Sequence, residues 1–485
     1  MGDSRSISNK IMGEIQKVVG IQTQIIYFLS SIIVAFSLTM LANSDELSTP
    51  QVYVLFLLIF SVCLWITEAI PPFAVGLMII GFLIFSLGNY YVQVDPENAS
   101  ALTQKYAQTW SNSVIWLMLG GFFLAEGMQK VGLDRTVFKL TIKRFGSKPK
   151  YVLLGLMLTT AIFSMIMSNT ATTAMMIAAV SPFIKTLDPN AKFSKGVLIG
   201  VPAAAAMGGM GTIIGSPTNA IAVEALNNHG INFGFLEWMS IGFPSAMILT
   251  LIFWFWLTKR YVPTVDHIDL SFLNESESEK KEEESDRIFV LRKKLVSGVL
   301  IFTLILWMTS NFHGIPASTV SLVPIILLTM FRIISSNDVR KLPWDTLMLV
   351  AGGMSLGLAI QETGLADYYV SQLRDFDMAF ALLVAFFAIL TVTLSNFMSN
   401  TAATTILIPI AIIMAPNHPL TLPLVIGLSA STALFFPIST PPNAIAFSTG
   451  LIKQKDFRPG GLLAGLTGPI IVVSLLFLYE FLGIF

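Results

Sequence analysis

The sequence is short of charge and of cysteine, and each shortage excludes a class of protein. Of 485 residues only 12% are charged, with 29 basic and 29 acidic side chains. Soluble domains carry about 25% charged residues, so this chain has too few to cover a water-exposed surface. Zero net charge argues against a nucleic-acid partner, which needs a basic surface. The single cysteine, Cys63, excludes an intramolecular disulfide and a cysteine-rich metal site.

What the sequence has in abundance is apolar residues, which make up 54% of the chain at a mean hydropathy of +0.74. Long apolar runs predict an all-α polytopic membrane protein, embedded in the lipid bilayer, with about eleven transmembrane helices plus two re-entrant hairpins. The hairpins are two apolar stretches, 150–187 and 377–416, each broken in its middle. Spans are expected at roughly 24–42, 51–71, 72–90, 112–128, 195–229, 235–258, 295–310, 316–333, 345–362, 421–452 and 460–483.

The distribution of basic residues predicts the orientation. With eleven crossings and a cytoplasmic N-terminus, every basic residue except Lys105 and Arg374 falls on the cytoplasmic side, as the positive-inside rule favours. We therefore expect a multi-pass protein of the cell (cytoplasmic) membrane with its C-terminus outside. Charge alone does not establish re-entry, because counting both arms of each hairpin as crossings leaves the parity unchanged.

Three motifs recur in the same order in the two halves of the chain, which predicts a duplicated unit. Residues 117–133 match 347–365, 164–173 match 395–405, and 216–222 match 440–446. The first members, 112–128 and 345–362, are expected to cross in opposite directions, so the repeats are predicted to be inverted, as in many secondary transporters. The predicted organisation begins with an N-terminal helix and scaffold spans at 1–111 and continues with repeat 1 at 112–258, which contains hairpin 150–187 and broken helix 195–229. A charged cytoplasmic linker at 259–294 and further scaffold spans at 295–344 follow. Repeat 2 occupies 345–485 and contains hairpin 377–416 and broken helix 421–452.

Each half contains two interruptions at membrane depth, expected at 168–170, 215–219, 399–401 and 439–443. Non-helical backbone survives there only when it is buried in protein or lines a wet cavity. A broken helix exposes free N–H groups, which favour anions, and free C=O groups, which favour cations. Pro217 and Pro441 can each begin a half-helix, and Ser168 and Ser399, or the adjacent asparagines, can cap one.

The polar residues at the hairpin tips suit a site for both an anion and a cation. An asparagine can ligate a hard cation through its carbonyl oxygen and donate to a carboxylate through its NH2. Ser164 and Ser168 are spaced i, i+4, which predicts that both hydroxyls share one helical face, and Ser395 and Ser399 repeat the spacing. Ordinary helix packing also uses small hydroxyl residues, but two copies, each followed by a Pro-containing break with an asparagine, favour a site.

Fixed charge is nearly missing from these regions, and this narrows the substrate class. No lysine or arginine lies near the middle of a predicted span, and Glu224 is the one acidic residue near a break. Such a site suits an anion held by hydroxyls, amides and helix starts, with bound cations offsetting its charge; cation coupling is therefore our hypothesis.

The chain shows neither a nucleophile–base pair nor paired membrane-depth aspartates, so we predict that it is not an enzyme.

The Ser-Asn-Thr motifs at 168–170 and 399–401, with 65–71 and 440–444, resemble those of the divalent anion/sodium symporter family of dicarboxylate transporters. The resemblance implies a homodimer that uses an elevator mechanism, an inward hairpin at 150–187 and an outward hairpin at 377–416. It implies C4-dicarboxylate substrates (succinate, malate or fumarate), Na+ as candidate coupling ion and no organic cofactor; Na+-independent exchange stays open. By matching motifs, the resemblance implies one Na+ site at Ser164, Ser168, Asn169 and a carbonyl near Gly215. It implies a second Na+ site at Ser395, Asn400 and a carbonyl near Ser439. The dicarboxylate would contact Asn169, Thr170, Thr218, Asn400, Thr401 and Pro441.

Overall fold

The computed structural model describes residues 2–43, 46–186, 192–262, 266–268, 287–373, 379–415 and 418–483. All regular elements in these ranges are helices, which confirms the all-α prediction. Short 3-10 turns at Thr109–Ser111 and Ile213–Gly215 join some of them. The α-helices are α1 Gly2–Ala42, α2 Thr49–Thr67, α3 Pro72–Val94, α4 Ala99–Gln108, α5 Ser113–Lys130, α6 Leu133–Phe145, α7 Pro149–Ser164, α8 Asn169–Thr186, α9 Lys192–Gly209, α10 Pro217–Asn228, α11 Phe235–Arg260, α12 Arg287–Met308, α13 Ser310–His313, α14 Ala317–Val320, α15 Leu322–Met330, α16 Ser336–Val339, α17 Trp344–Glu362, α18 Leu365–Leu373, α19 Phe380–Phe397, α20 Asn400–Met414, α21 Thr421–Ala430, α22 Pro441–Ser448 and α23 Gln454–Phe481.

Six helices of the described chain are long and apolar enough to cross a membrane on their own: the 21–42 part of α1, with α2, α3, α11, α19 and α23. A seventh candidate is a helical pair bent by 72° between Lys130 and Leu133. Others, such as α7 and α21, are apolar but shorter, as expected of hairpin arms and broken helices. A polytopic membrane protein is therefore confirmed, and the count of eleven spans stays a prediction.

The chain divides into two compact units. The first comprises Met1–Trp110 and Asp345–Phe376. Within it α3 and α17 meet at two glycines, where a Cβ added to Gly352 would lie 2.3 Å from the Cα of Gly76. Helix backbones can approach this closely only without side chains, a common device between membrane helices. The ion pair between Lys105 and Glu362 joins α4 to α17 in the same unit.

The second unit, Ser111–Trp344 with Asp377–Phe485, contains all the predicted site residues. Its first part packs α7, α9 and α11 together, and its second part packs α19, α21 and α23 together. The hairpin arms α8 and α20 lie against α9 and α21 respectively. Both broken helices are thus surrounded by other helices, which agrees with burial of non-helical backbone inside the protein.

The last residues of the predicted charged linker, from Arg287, belong to a helix. Helix α12 starts at Arg287, eight residues before the expected span at 295, so its first two turns are basic. At the other side, the backbone N–H of Ile268 donates to the carbonyl of Ser147 at 2.8 Å. The acidic part, 271–286, lies outside the described residues.

Candidate functional site

All four predicted interruptions exist, but each lies a few residues earlier in the chain than expected. The non-helical stretches are 165–168, 210–216, 398–399 and 431–440. The motif asparagines and threonines consequently stand in the first turn of the following helix, not inside the break. The first-turn N–H groups of a helix have no partner within the helix, so each of these helix starts favours anions.

The sequence predicted the helix starts correctly and the shared serine face wrongly. Helix α10 begins at Pro217 and α22 at Pro441. Ser399 accepts from the N–H of Ala402 at 3.1 Å, and Ser168 caps α8 in the same way. Helix α7 ends at Ser164, however, so Ser168 lies beyond the turn. The i, i+4 relation requires a continuous helix, and α19 likewise ends before Ser399.

At the first hairpin tip, polar groups from three segments converge. The Ser164 hydroxyl donates to Asn169 Oδ1 at 2.5 Å. Gly209, the last residue of α9, faces the same amide, since a Cβ added there would lie 2.4 Å from Asn169 Oδ1. A Cβ on Gly215 would lie 2.5 Å from the Gly209 carbonyl oxygen and 3.0 Å from that of Ser164. The structure therefore brings Ser164, Asn169 and Gly215 together around two backbone carbonyls.

The break in repeat 1 is fixed by side-chain hydrogen bonds to its backbone. Asn219 Nδ2 donates to the carbonyls of Gly209 and Thr212, both at 2.7 Å. The Thr212 hydroxyl donates to the carbonyl of Met165, which ties the break to the hairpin. Buried carbonyls without donors are costly, so these bonds hold the interruption in a single shape.

At the second hairpin tip the corresponding groups are unpaired. The Ser395 hydroxyl and Asn400 Oδ1 are buried and make no hydrogen bond within the described structure. The next residue, Asn396, instead bonds the break: its Oδ1 accepts from the N–H of Phe435 and from the Ser439 hydroxyl, both at 2.9 Å. Ser439 is thus held against Asn396, the chain neighbour of Ser395.

The two halves of the site pack against each other in a reciprocal manner. Helix α8, which starts at Asn169, packs against α22, which starts at Pro441. Helix α20, which starts at Asn400, packs against α10, which starts at Pro217. Each hairpin arm therefore meets the half-helix that follows the break of the other half.

The predicted substrate-contacting residues differ in accessibility. Thr170 and Pro441 are exposed, while Asn169, Asn400 and Thr401 are half-buried. Thr218 is fully buried, and its hydroxyl lies 2.9 Å from that of Ser216 and donates to Asn219 Oδ1 at 3.2 Å. The first two residues of α8 and α20 and the start of α22 therefore present the accessible polar surface in this conformation.

Neutral oxygens and amides dominate this region. Among the described residues, no three acidic, histidine or cysteine side chains are grouped as a metal site. The one nearby carboxylate, Glu224, is 5% exposed and accepts from Asn112 Nδ2, the side chain that also caps α5. A small hard cation such as Na+ fits the second tip, because two buried oxygens there have no donor. At the first tip the Ser164 and Gly209 carbonyls beside Asn169 form a comparable oxygen-lined cradle.

Sequence reasoning assigned no role to several residues that hold the site. Asn396, Thr212 and Gly209 lay outside the predicted ligand set. Asn219 and its repeat partner Asn443 could have been found, because both occupy the same place in a duplicated motif. Asn443 Nδ2 donates to the carbonyls of Leu434 and Phe436, at 3.3 and 3.0 Å, as Asn219 does in its own half.

Comparison of the sequence with protein families gives one match along most of the chain. The family described as the sodium:sulfate symporter transmembrane region matches residues 22–484. A relative named the sodium-dependent dicarboxylate transporter SdcS, from Staphylococcus aureus strain USA300, is 31% identical over 477 residues, covering 91% of this chain and 88% of the relative. SdcS of Staphylococcus saprophyticus is 29% identical over 475 residues, covering 91% and 89%.

Two solved structures share the fold at low sequence identity. Neisseria gonorrhoeae MtrF, described among antimetabolite efflux pumps, matches with a TM-score of 0.56 at 12% identity, covering 86% of this chain and 96% of MtrF. The YdaH transporter of Alcanivorax borkumensis matches with a TM-score of 0.52 at 14% identity, covering 85% and 98%. The relatives are transporters, not enzymes, which confirms the prediction that this chain is not an enzyme.

Proposed function

This chain belongs to the sodium:sulfate symporter family, as the paired motifs predicted, and we propose that it is a secondary active transporter that couples C4-dicarboxylate movement across the cytoplasmic membrane to Na+. The relatives named as sodium-dependent dicarboxylate transporters support the ion and the substrate class. The observation that carries the proposal is the pair of buried, unpartnered oxygens on Ser395 and Asn400. Unpaired buried oxygens are costly, and a bound cation would satisfy both.

The dicarboxylate is held by groups without formal charge. Asn169 and Asn400 begin α8 and α20, so the free N–H groups of two helix starts and two amide NH2 groups are available to carboxylate oxygens. Thr170 and Thr401 add hydroxyl donors beside them. Moving a dianion into this environment without cations would be unfavourable, so Na+ bound next to the asparagines lowers the cost of substrate binding. Succinate, malate and fumarate each carry two carboxylates, one for each tip.

Alternating access follows from two inverted repeats that move as an elevator past a scaffold in a homodimer. The reciprocal packing of α8 with α22 and of α20 with α10 supports the inverted relation, because equivalent pairs form in both halves. The proposed orientation places the N-terminus in the cytoplasm and the C-terminus outside, with hairpin α7–α8 opening inward and hairpin α19–α20 opening outward.

Uptake of labelled succinate into proteoliposomes tests the proposal. An inward Na+ gradient should drive accumulation, and replacing Na+ by choline should abolish it. Uptake that is unchanged in choline but requires internal dicarboxylate would replace symport by exchange on the same fold. Absence of both uptake and counterflow for succinate, malate and fumarate would refute the substrate class.

Alanine variants locate the site within the same assay. Asn169→Ala and Asn400→Ala should each lower uptake at least about 100-fold, because a small displacement of a positioned group costs that much. Folding should persist, as shown by a monodisperse elution profile. The exposed Asn98→Ala is the matched control and should transport like the parent protein. Full activity in either site variant would remove the assigned site.

A further inference from the structure

Helix α6 departs sharply from the direction of the helix before it. A bend of 72° separates the segment that ends at Lys130 from α6, and Gly132 lies between them with φ of +61°. Helix α6 carries basic residues along its length, including Lys143 and Arg144 in its last turn. Charged side chains are costly in hydrocarbon, so we expect the apolar segment before the bend to cross the membrane and the basic α6 to lie at its surface.

One face of α6 is open and amphiphilic. A cavity of about 370 Å³ is lined by Val137, Leu140, Thr141, Arg144 and Phe145. These positions recur every three or four residues, so they form one stripe along two turns. Leu140 is 64% exposed in this stripe. An exposed apolar side chain beside a guanidinium suits a molecule with an apolar chain and an anionic head.

The surroundings of this stripe are strongly basic. Asp134 is the one acidic residue in α6, and it is 3% exposed with its Oδ1 bonded to the backbone N–H of Arg135. Lys293 Nζ donates to Thr136 Oγ1 at 2.6 Å, which brings the basic first turns of α12 to the start of α6. In this part of the chain the exposed basic side chains are Arg135, Lys143, Arg144, Lys148, Lys150, Arg287, Arg292 and Lys294.

We propose that this face of α6 binds anionic phospholipid, with an acyl chain against Val137, Leu140 and Phe145 and the headgroup phosphate held by Arg144 and Lys143. A guanidinium pairs with phosphate through two parallel hydrogen bonds, and basic residues beside a membrane attract anionic lipid. The acidic segment 275–284 is a poorer occupant, because it contains no apolar residue to cover Leu140. The inference does not depend on the transported substrate.

The test measures binding of short-chain phosphatidylglycerol and phosphatidylcholine to the full-length protein in detergent by calorimetry. Phosphatidylglycerol should bind more tightly, and the preference should vanish at about 1 M salt, where the Debye length is about 3 Å. Arg144→Gln should weaken phosphatidylglycerol binding about fivefold, since each basic residue near the surface contributes about that factor. Arg144→Lys keeps the charge but loses the paired hydrogen bonds, so it should weaken binding less than Arg144→Gln does. The exposed Lys455→Gln, with the same change in charge on the same predicted side, should bind like the parent protein.

Five results would overturn the proposal. Equal affinity for the two lipids in the parent protein would do so even if no variant folds. Unchanged binding in a folded Arg144→Gln would remove the phosphate contact. Competition by glycerol phosphate at equal concentration would indicate a site for soluble anions. A change of oligomeric state in Leu140→Ser would assign the face to a second copy of the chain. A gain of more than tenfold on deleting 275–284 would make the acidic segment the occupant.

Discussion

Replacing Gly209 by alanine gives the sharpest test of the first hairpin tip. The added Cβ would lie 2.4 Å from Asn169 Oδ1 and 3.0 Å from Asn169 Nδ2, whereas ordinary contacts begin at 3.4 Å. The amide must therefore shift by about 1 Å to restore normal contact. Such a shift breaks the 2.5 Å hydrogen bond from the Ser164 hydroxyl and displaces the oxygen that we assign to the cation.

The expected size of the effect follows from two costs. Overpacking a tight site costs about 1–3 kcal/mol, and a lost hydrogen bond costs about 1 kcal/mol. A penalty of about 2–4 kcal/mol on the ion-bound state raises the half-saturating Na+ concentration about 30- to 900-fold. Na+ titration of succinate uptake in proteoliposomes measures this shift. The change should appear mainly in the Na+ dependence, because the variant leaves every polar group of the site present.

Two neighbouring glycines provide controls in the same motif. A Cβ on Gly208 would lie 2.3 Å from the backbone oxygen of Ala161, which cannot move aside, so Gly208→Ala should lower the thermal unfolding midpoint. A Cβ on Gly211 would lie 2.7 Å from Cε and 2.9 Å from Cγ of Met165, so this flexible side chain must repack. Because its added Cβ meets Met165 and not Asn169, Gly211→Ala should change the Na+ dependence far less than Gly209→Ala. A folded Gly209→Ala with the parent Na+ dependence, or an equal loss in Gly211→Ala, would refute the assignment.

Three further perturbations test other parts of the molecule. Asn219→Ala leaves the buried Gly209 carbonyl without a donor, at about 1–3 kcal/mol, and leaves the Thr212 carbonyl with only the longer bond from the Gly215 N–H. It should lower the unfolding midpoint more than Asn443→Ala, whose bonds are longer, and the reverse order would contradict this. Hydrogen bonds from Lys130 and Ser335 lower the pKa of Asp338, so its carboxylate stabilises the fold above about pH 4 and stabilises it less as the pH falls. Asp338→Asn should therefore lower the unfolding midpoint at about pH 7, and the difference in midpoint from the parent protein should shrink in acid. A difference that does not change with pH would argue against the ion pair. Deleting 275–284 should leave uptake nearly unchanged, and a large loss would mean that the segment does more than connect α11 to α12.

The sequence was sufficient to locate the breaks because local chemistry determines them. Pro217 and Pro441 remove a donor and fix φ, so each starts a helix wherever the preceding segment is interrupted. Ser168 and Ser399 satisfy first-turn N–H groups with their own side chains, a purely local interaction. Such features depend on a few consecutive residues, and the sequence alone can therefore predict them.

Features that depend on where a helix ends were not predictable from spacing. The prediction that Ser164 and Ser168 share a helical face was wrong because the helix ends at Ser164. Gly208 and Gly211 pack closely against α7 and the turn that follows it. The role of Asn396 could not be predicted either, because its hydrogen-bond partners lie about 40 residues further along the chain. Long-range partners follow from the fold and not from local pattern.

The two tips share one motif yet differ in how their polar groups are satisfied, and the position of the glycines accounts for the difference. In repeat 1 the glycines lie on the broken helix itself, so Gly209 comes close to Asn169, whose Oδ1 accepts from the Ser164 hydroxyl. In repeat 2 the aligned positions hold Thr432, Ala433 and Phe435, which are larger.

The space in repeat 2 comes instead from α23, where a Cβ on Gly461 would lie 2.3 Å from the Cα of Phe435 and one on Gly468 would lie 2.3 Å from Cγ2 of Thr432. The second break is therefore packed towards α23 and tied to its hairpin through Asn396, which leaves Ser395 and Asn400 without partners. The two tips therefore differ although their motifs match, because the glycines that permit close packing lie on α9 and its break in one half and on α23 in the other. Of the two predicted cation-ligand sets, only that of the second tip has buried side-chain oxygens without a hydrogen-bond partner in the described structure, so a bound cation there would also remove the cost of leaving them unpaired.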